Sequence, residues 1–144
     1  MEPRVALVTG AGSPTGIGFA TARSLGRDGA RLAIASTTDR IHERALELEK
    51  DGVDAAGFVA DLTDAADARS LVAAILARFD RIDVLVNNAG MVQTGTDWVS
   101  TPFTELDEAE WDRSIALSLK TAFNTTRAVL PGMVQGGYGR IVNV

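Results

Sequence analysis

Short uninterrupted apolar runs alternate along the chain with stretches in which apolar residues recur every three or four positions. The runs are Val5–Val8, Leu32–Ala35, Gly57–Ala60, Ile82–Val86 and Ile141–Val144. Apolarity that is continuous, not alternating, suits a strand buried on both faces of a parallel sheet. Between the runs, Ile17, Ala20, Thr21 and Leu25 share one helical face, and Gly29 stands where that helix should end. Ile41, Ala45 and Leu48 mark a second helix that stops near Gly52. Ala68, Leu71, Val72, Ile75 and Phe79 mark a third, with Asp64 as its N-cap. A fourth, longer helix starts near Trp111 and continues its stripe through Ile115, Leu119, Phe123 and Thr126. Pro131 predicts a kink or an end in its last turns. Strict alternation of strand and helix predicts right-handed crossovers and an α/β fold with a doubly wound parallel sheet, in one domain over residues 1–144.

Composition narrows the class of molecule. The 144 residues are 46% hydrophobic and 23% charged, an ordinary balance for a soluble chain long enough to bury a core. A net charge of −5 argues against nucleic acid or an acidic membrane as the main partner. The absence of cysteine removes disulfides and thiolate metal sites, and no metal is expected. No apolar stretch approaches the ~20 residues needed to cross a bilayer, and the first residues lack a signal-peptide pattern. A cytoplasmic protein is expected.

Candidate chemistry begins where the first apolar run ends. Thr9-Gly10-Ala11-Gly12-Ser13-Pro14-Thr15-Gly16-Ile17-Gly18 joins a strand to a helix through a glycine-rich turn. Such glycines let the main chain approach a pyrophosphate, while the helix start supplies unpaired N–H groups and positive dipole. Gly10, Gly12, Ser13, Thr15, Gly16, Ile17 and Gly18 are therefore candidate cofactor contacts. Ser36, Thr37 and Thr38 follow the second run, where the ribose of a dinucleotide is read. A carboxylate there would repel a 2′-phosphate; neutral hydroxyls with Arg40 nearby favour NADP(H), while Asp39 keeps NAD(H) open. The same residues also suit a polar loop capping the second helix. Asp61, followed by Leu62, ends the third run, placed to accept from an adenine amino group or to serve as a helix N-terminal acid. Asn87-Asn88-Ala89-Gly90 ends the fourth, with two amides to tie strand ends together and two small residues leaving room for ribose and nicotinamide.

In order and spacing, Thr9-Gly10…Gly16-Ile17-Gly18, Asp61 and Asn87-Asn88-Ala89-Gly90 resemble the short-chain dehydrogenase/reductase family. Gly139-Arg140-Ile141-Val142-Asn143-Val144 resembles that family's fifth strand, and Trp111-Asp112-Arg113 the start of its fourth crossover helix, so the resemblance spans the chain. It implies a Rossmann-type sheet and hydride transfer with NAD(P) between a ketone and a secondary alcohol, with 3-oxoacyl thioesters among the substrates of similar enzymes. It also implies self-association as a homodimer or homotetramer. The extended, epimerase-like branch fits less well, since its glycine spacing differs.

Three departures stand out. Five residues separate Gly10 from Gly16 where the family usually has three, and the extra two can be placed before or after Gly12. Ser118 stands where the family commonly has an asparagine thought to hold a helical carbonyl and a water for proton relay. Serine there either holds a water or is a neutral helix residue. Trp111, Ile115 and Phe123 read as core or subunit interface. Last, the family's catalytic serine and Tyr-x-x-x-Lys lie beyond its fifth strand. The sole tyrosine here, Tyr138, is followed four residues on by Val142 and reads as a turn residue; His42, the sole histidine, falls on the charged face of the second helix. Val144 lies inside an apolar run, so the expectation is the amino-terminal part of a longer reductase, truncated after its fifth strand and inactive by itself. The alternative is a non-catalytic nucleotide-binding or interaction module.

Overall fold

A computed structural model describes residues 3–90 and 101–144. Five parallel strands form one sheet in the order β3-β2-β1-β4-β5: β1 (Val5–Thr9), β2 (Arg31–Ser36), β3 (Ala55–Val59), β4 (Val84–Asn87) and β5 (Arg140–Asn143). Along β1, Ala6 and Val8 face a cluster with α1 (Ile17–Arg27) and α2 (Arg40–Lys50). Val5 and Leu7 face the opposite cluster, with α3 (Ala65–Phe79) and α5 (Thr121–Gln135). Helices on both faces make this the doubly wound, Rossmann-like α/β sheet that the alternating pattern predicts.

The second and third helices bury the expected residues. Asp64 caps α3, accepting from the N–H groups of Ala66 and Asp67 at 2.6 and 3.0 Å. Those bonds, Asp67's foremost, hold its carboxyl below the ordinary range. His42 is exposed, as its position on the charged helix face implies.

Four expectations need correction. In α1 the buried residues are Gly18, Phe19 and Ala22, while Ile17 and Ala20 are exposed. The helix rests on the sheet through Gly18, whose close approach rotates the apolar stripe away from Ile17. The predicted fourth helix is two segments joined by a π-helical turn: α4 (Glu108–Ile115), the turn Ala116–Lys120, and α5. Pro131 sits inside α5, which runs on to Gln135. Trp111, Ile115, Leu119 and Phe123 are 51%, 40%, 63% and 57% exposed, so none belongs to the core. The face turned inward is Thr121, Asn124, Thr125, Val129 and Met133. Its polar members find carbonyl partners, which an apolar pattern cannot register. Finally, burial on both faces holds for β1 and the centre of β2 but not for β5, which is exposed along its length.

The amino ends of β1 and β4 are joined by one carboxylate. Asp83, whose side chain is 2% exposed, accepts from the Val5 N–H at 2.9 Å, from Arg4 at 3.3 Å and from Arg81. Burial alone would raise its pKa. The Arg81 and Val5 hydrogen bonds, with the charges of Arg81 and Arg4, outweigh burial and hold the carboxyl below its ordinary value. Its contribution to stability is therefore present above the unfolded pKa of about 3.9 and lost as pH falls through the folded value. Asp83→Asn is expected to lower the unfolding free energy by about 2 kcal/mol at pH 7, with the difference shrinking below about pH 4. Urea unfolding of both proteins at pH 7 and pH 3 checks this; an equal gap at both would contradict it.

Candidate functional site

At the carboxyl ends of β1 to β4 lies a cleft of about 380 Å³. It opens where the strand order reverses between β1 and β4, the position at which doubly wound sheets hold ligands.

The clasp at the centre is the Thr9 side chain, 1% exposed. Its hydroxyl donates to the Val86 carbonyl at 3.2 Å and accepts from the N–H groups of Asn88 and Ala89, each at 3.0 Å. One donor and two acceptors are all used. The Asn88 amide donates in return to the carbonyls of Thr9 and Gly10, both at 3.1 Å. Space here admits no side chain. Gly10 has φ +67, and a Cβ on it would lie 2.9 Å from the Ala89 main chain. A Cβ on Gly18 would lie 2.7 Å from the Gly10 carbonyl oxygen and strike the Asn88 amide.

Beyond the clasp, the Ala11 N–H extends the sheet ladder to the Ala35 carbonyl at 3.1 Å. The Gly16 N–H closes a turn on the Ser13 carbonyl at 3.2 Å. This turn follows Gly12, with Pro14 and Thr15 exposed on it. α1 starts with Gly16 as N-cap, which has no side chain to accept from the first N–H groups of the helix. Gly10, Gly12, Ser13, Thr15, Gly16 and Ile17 line the cleft; Gly18 lies buried beneath it.

From the other strand ends, the cleft is lined by Ser36, Thr37 and Thr38, by Asp61 and Leu62, and by Asn88, Ala89 and Gly90. Ser36 donates to the Thr38 carbonyl at 3.0 Å, and Arg40 reaches the Thr38 hydroxyl at 3.4 Å. Arg40 is a lining residue and Asp39 is not. Asp61 is not the cap of α3, a place Asp64 takes; its carboxylate accepts from the N–H and hydroxyl of Thr63 at 3.0 and 2.7 Å. Asn87 stands apart, buried, its amide donating to Thr126 at 3.0 Å and Asn143 at 2.9 Å across β4 and β5. Ser118, in the π-helical turn, is exposed and donates to the Gly90 carbonyl at 3.4 Å. Tyr138 lies at the opposite end of the sheet, its ring 3.7 Å from the Arg4 guanidinium.

Two residues of α5 went unnoticed in the sequence. Thr121, buried and lining the cleft, shares its one hydroxyl hydrogen between the carbonyls of Leu117 at 2.8 Å and Ala89 at 3.2 Å. Asn124 donates to the carbonyls of Leu62 and Thr63 at 2.9 and 3.2 Å. A polar residue on the inner face of an otherwise amphipathic helix is the one signal that could have marked them.

Comparison with known proteins follows the same outline. The family model described as short chain dehydrogenase matches residues 4–144. D-threitol dehydrogenase from Mycolicibacterium smegmatis is 37% identical over 145 aligned residues, covering 100% of this chain and 53% of that protein. A 3-ketoacyl-ACP reductase from Sinorhizobium meliloti 1021 superposes with a TM-score of 0.86 at 36% identity, over 96% of this chain and 52% of that one. A variant of actinorhodin polyketide ketoreductase, solved with NADPH, gives a TM-score of 0.86 at 38% identity, over 98% of this chain and 52% of that one. The chain thus spans about half the length of the curated relatives it matches.

Replacing Thr9 by valine keeps its shape but strands two N–H groups and a carbonyl. Thr9→Val is expected to cost about 2 kcal/mol or more of folding stability, with Thr9→Ser recovering most of it. Thermal unfolding of the three proteins decides the point, and a valine variant as stable as the parent would refute the clasp.

Proposed function

The chain belongs to the short-chain dehydrogenase family, and on that premise we propose that its cleft holds NADP(H) for the interconversion of a ketone and a secondary alcohol. The observation that carries this reading is the cradle at residues 10–18. Gly10 and Gly18 leave no room for side chains, and its helix start presents N–H groups that nothing in the N-cap satisfies. That combination suits a diphosphate.

In this reading the diphosphate lies on Gly12, Ser13, Thr15, Gly16 and Ile17, with Gly10 and Gly18 giving the main chain its close approach. Ser36, Thr37 and Thr38, with the positive charge of Arg40, receive the 2′-phosphate. Asp61 and Leu62 flank the adenine. Asn88, Ala89 and Gly90 border the nicotinamide ribose, and Asn87 ties β4 to β5 behind them. Ser118 steadies the Gly90 carbonyl. When bound, the nucleotide supplies or takes up a hydride at the substrate's carbonyl carbon. Tyr138 sits at the far end of the sheet, outside the cleft's described lining. The ketoacyl and polyketide ketoreductases among the structural neighbours support a small 3-oxoacyl-type substrate. A cytoplasmic setting belongs to the same reading. So does self-association through the exposed stripe Trp111, Ile115, Leu119 and Phe123, which covers no part of the described core.

Calorimetric titration is expected to show tighter binding of NADPH than NADH. Thr37→Asp sets a carboxylate against the 2′-phosphate and should move that preference about tenfold or more towards NADH. An unchanged ratio would mean that another residue reads the 2′ position.

For self-association, sedimentation at micromolar concentration should find a dimer or tetramer, and Phe123→Glu should shift it to monomer. A parent protein that sediments as a clean monomer counts against this interface.

A further inference from the structure

Beyond Ala60, whose N–H bonds to the Ser36 carbonyl at 3.0 Å, the chain between β3 and α3 leaves the sheet ladder. What holds it there is a side chain from α5. Asn124 is 5% exposed and donates both amide hydrogens to consecutive carbonyls, Leu62 at 2.9 Å and Thr63 at 3.2 Å, more than sixty residues back in the sequence. Its inward-facing neighbours behave differently. Thr125 donates to the Thr121 carbonyl of its own helix at 2.8 Å, and Thr121 spends part of its hydroxyl on Leu117. Asn124 alone of the three gives both donors to a cleft loop. A buried amide used in this way fixes position, since losing it would leave two carbonyls unpaired.

The loop it grips carries Asp61 and Leu62. Asp61 is held on its other sides by Thr63 and by the Asp67 carboxylate, which accepts the Asp61 N–H at 2.6 Å. Asn124 does not itself line the cleft. We infer that Asn124 is a positioning residue for the adenine end of the bound dinucleotide, acting through the Asp61–Leu62 loop. The inference rests on the NADP(H) reading of the cleft and adds a division of labour within it. The nicotinamide end is bordered by groups that Thr9, Asn88 and Thr121 hold, so a defect at position 124 should stay at one end.

The test splits the nucleotide. Adenosine 2′,5′-bisphosphate and reduced nicotinamide mononucleotide are titrated separately into the parent chain and into Asn124→Leu, which keeps bulk but cannot donate. Amide chemical shifts in NMR follow binding even at millimolar Kd. The bisphosphate should bind about tenfold more weakly to the variant, while the mononucleotide changes less than about twofold. Equal losses of both fragments, or no loss of the bisphosphate, would overturn the inference. A parent chain that takes up neither fragment removes the cofactor reading itself, a different result from a parent that binds and a variant that matches it. Should Asn124→Leu not fold, the side-chain amide resonances of Asn124 in the parent serve instead. They should move with the bisphosphate and not with the mononucleotide; resonances indifferent to the bisphosphate would overturn the assignment.

Discussion

One hydroxyl group holds the place where this sheet changes direction. β1 and β4 are neighbours in space but about eighty residues apart in the chain, and their crossovers run away from one another. At such a junction the strand ends lack a continuing ladder, and buried main-chain groups need partners. Thr9 supplies three at once, and Asn88 returns two. The glycines at positions 10 and 18 follow from that clasp, since any Cβ on them would strike it or the carbonyl beside it. The helix start beyond them faces the cleft with N–H groups that the Gly16 N-cap leaves without a side-chain partner, an arrangement that favours negative charge.

The two ends of the sheet use opposite solutions. At the amino ends, Asp83 is buried and saturated, an ionised carboxylate gathering Val5, Arg4 and Arg81. At the carboxyl ends, polar groups bind one another only as far as needed to hold the loops, and the cleft remains lined by small residues and hydroxyls. α5 belongs to both layers. Val129 and Met133 pack into the core, Thr121 and Asn124 grip two cleft loops, and Phe123 on its outer side is exposed.

Much of this was legible in the sequence. Continuous apolar runs located all five strands within two or three residues, because a parallel sheet covered on both faces asks little more of its central strands than apolarity. The glycine loop was legible because its constraint is local: a strand, a turn and a helix start within ten residues. The helix faces were less so. Gly18 contributes nothing to an apolar pattern, yet it sets which side of α1 touches the sheet. In α5 the inward face is partly polar, so Phe123 of the apolar stripe points outward, and of the two readings of that stripe, core or subunit interface, exposure removes the first. Asn124 and Thr121 stayed hidden because their partners, the Leu62 and Ala89 carbonyls, are chosen by tertiary structure and carry no mark in the sequence.

We propose that main-chain N–H groups between Gly12 and Gly18 receive the diphosphate of a nicotinamide nucleotide. A crystal structure of the chain grown with saturating NADPH tests it most directly. Diphosphate oxygens should lie within hydrogen-bonding distance of those N–H groups, with the adenine against Asp61 and Leu62. A nucleotide bound elsewhere on the molecule, or a cleft that stays empty at saturation, would contradict it.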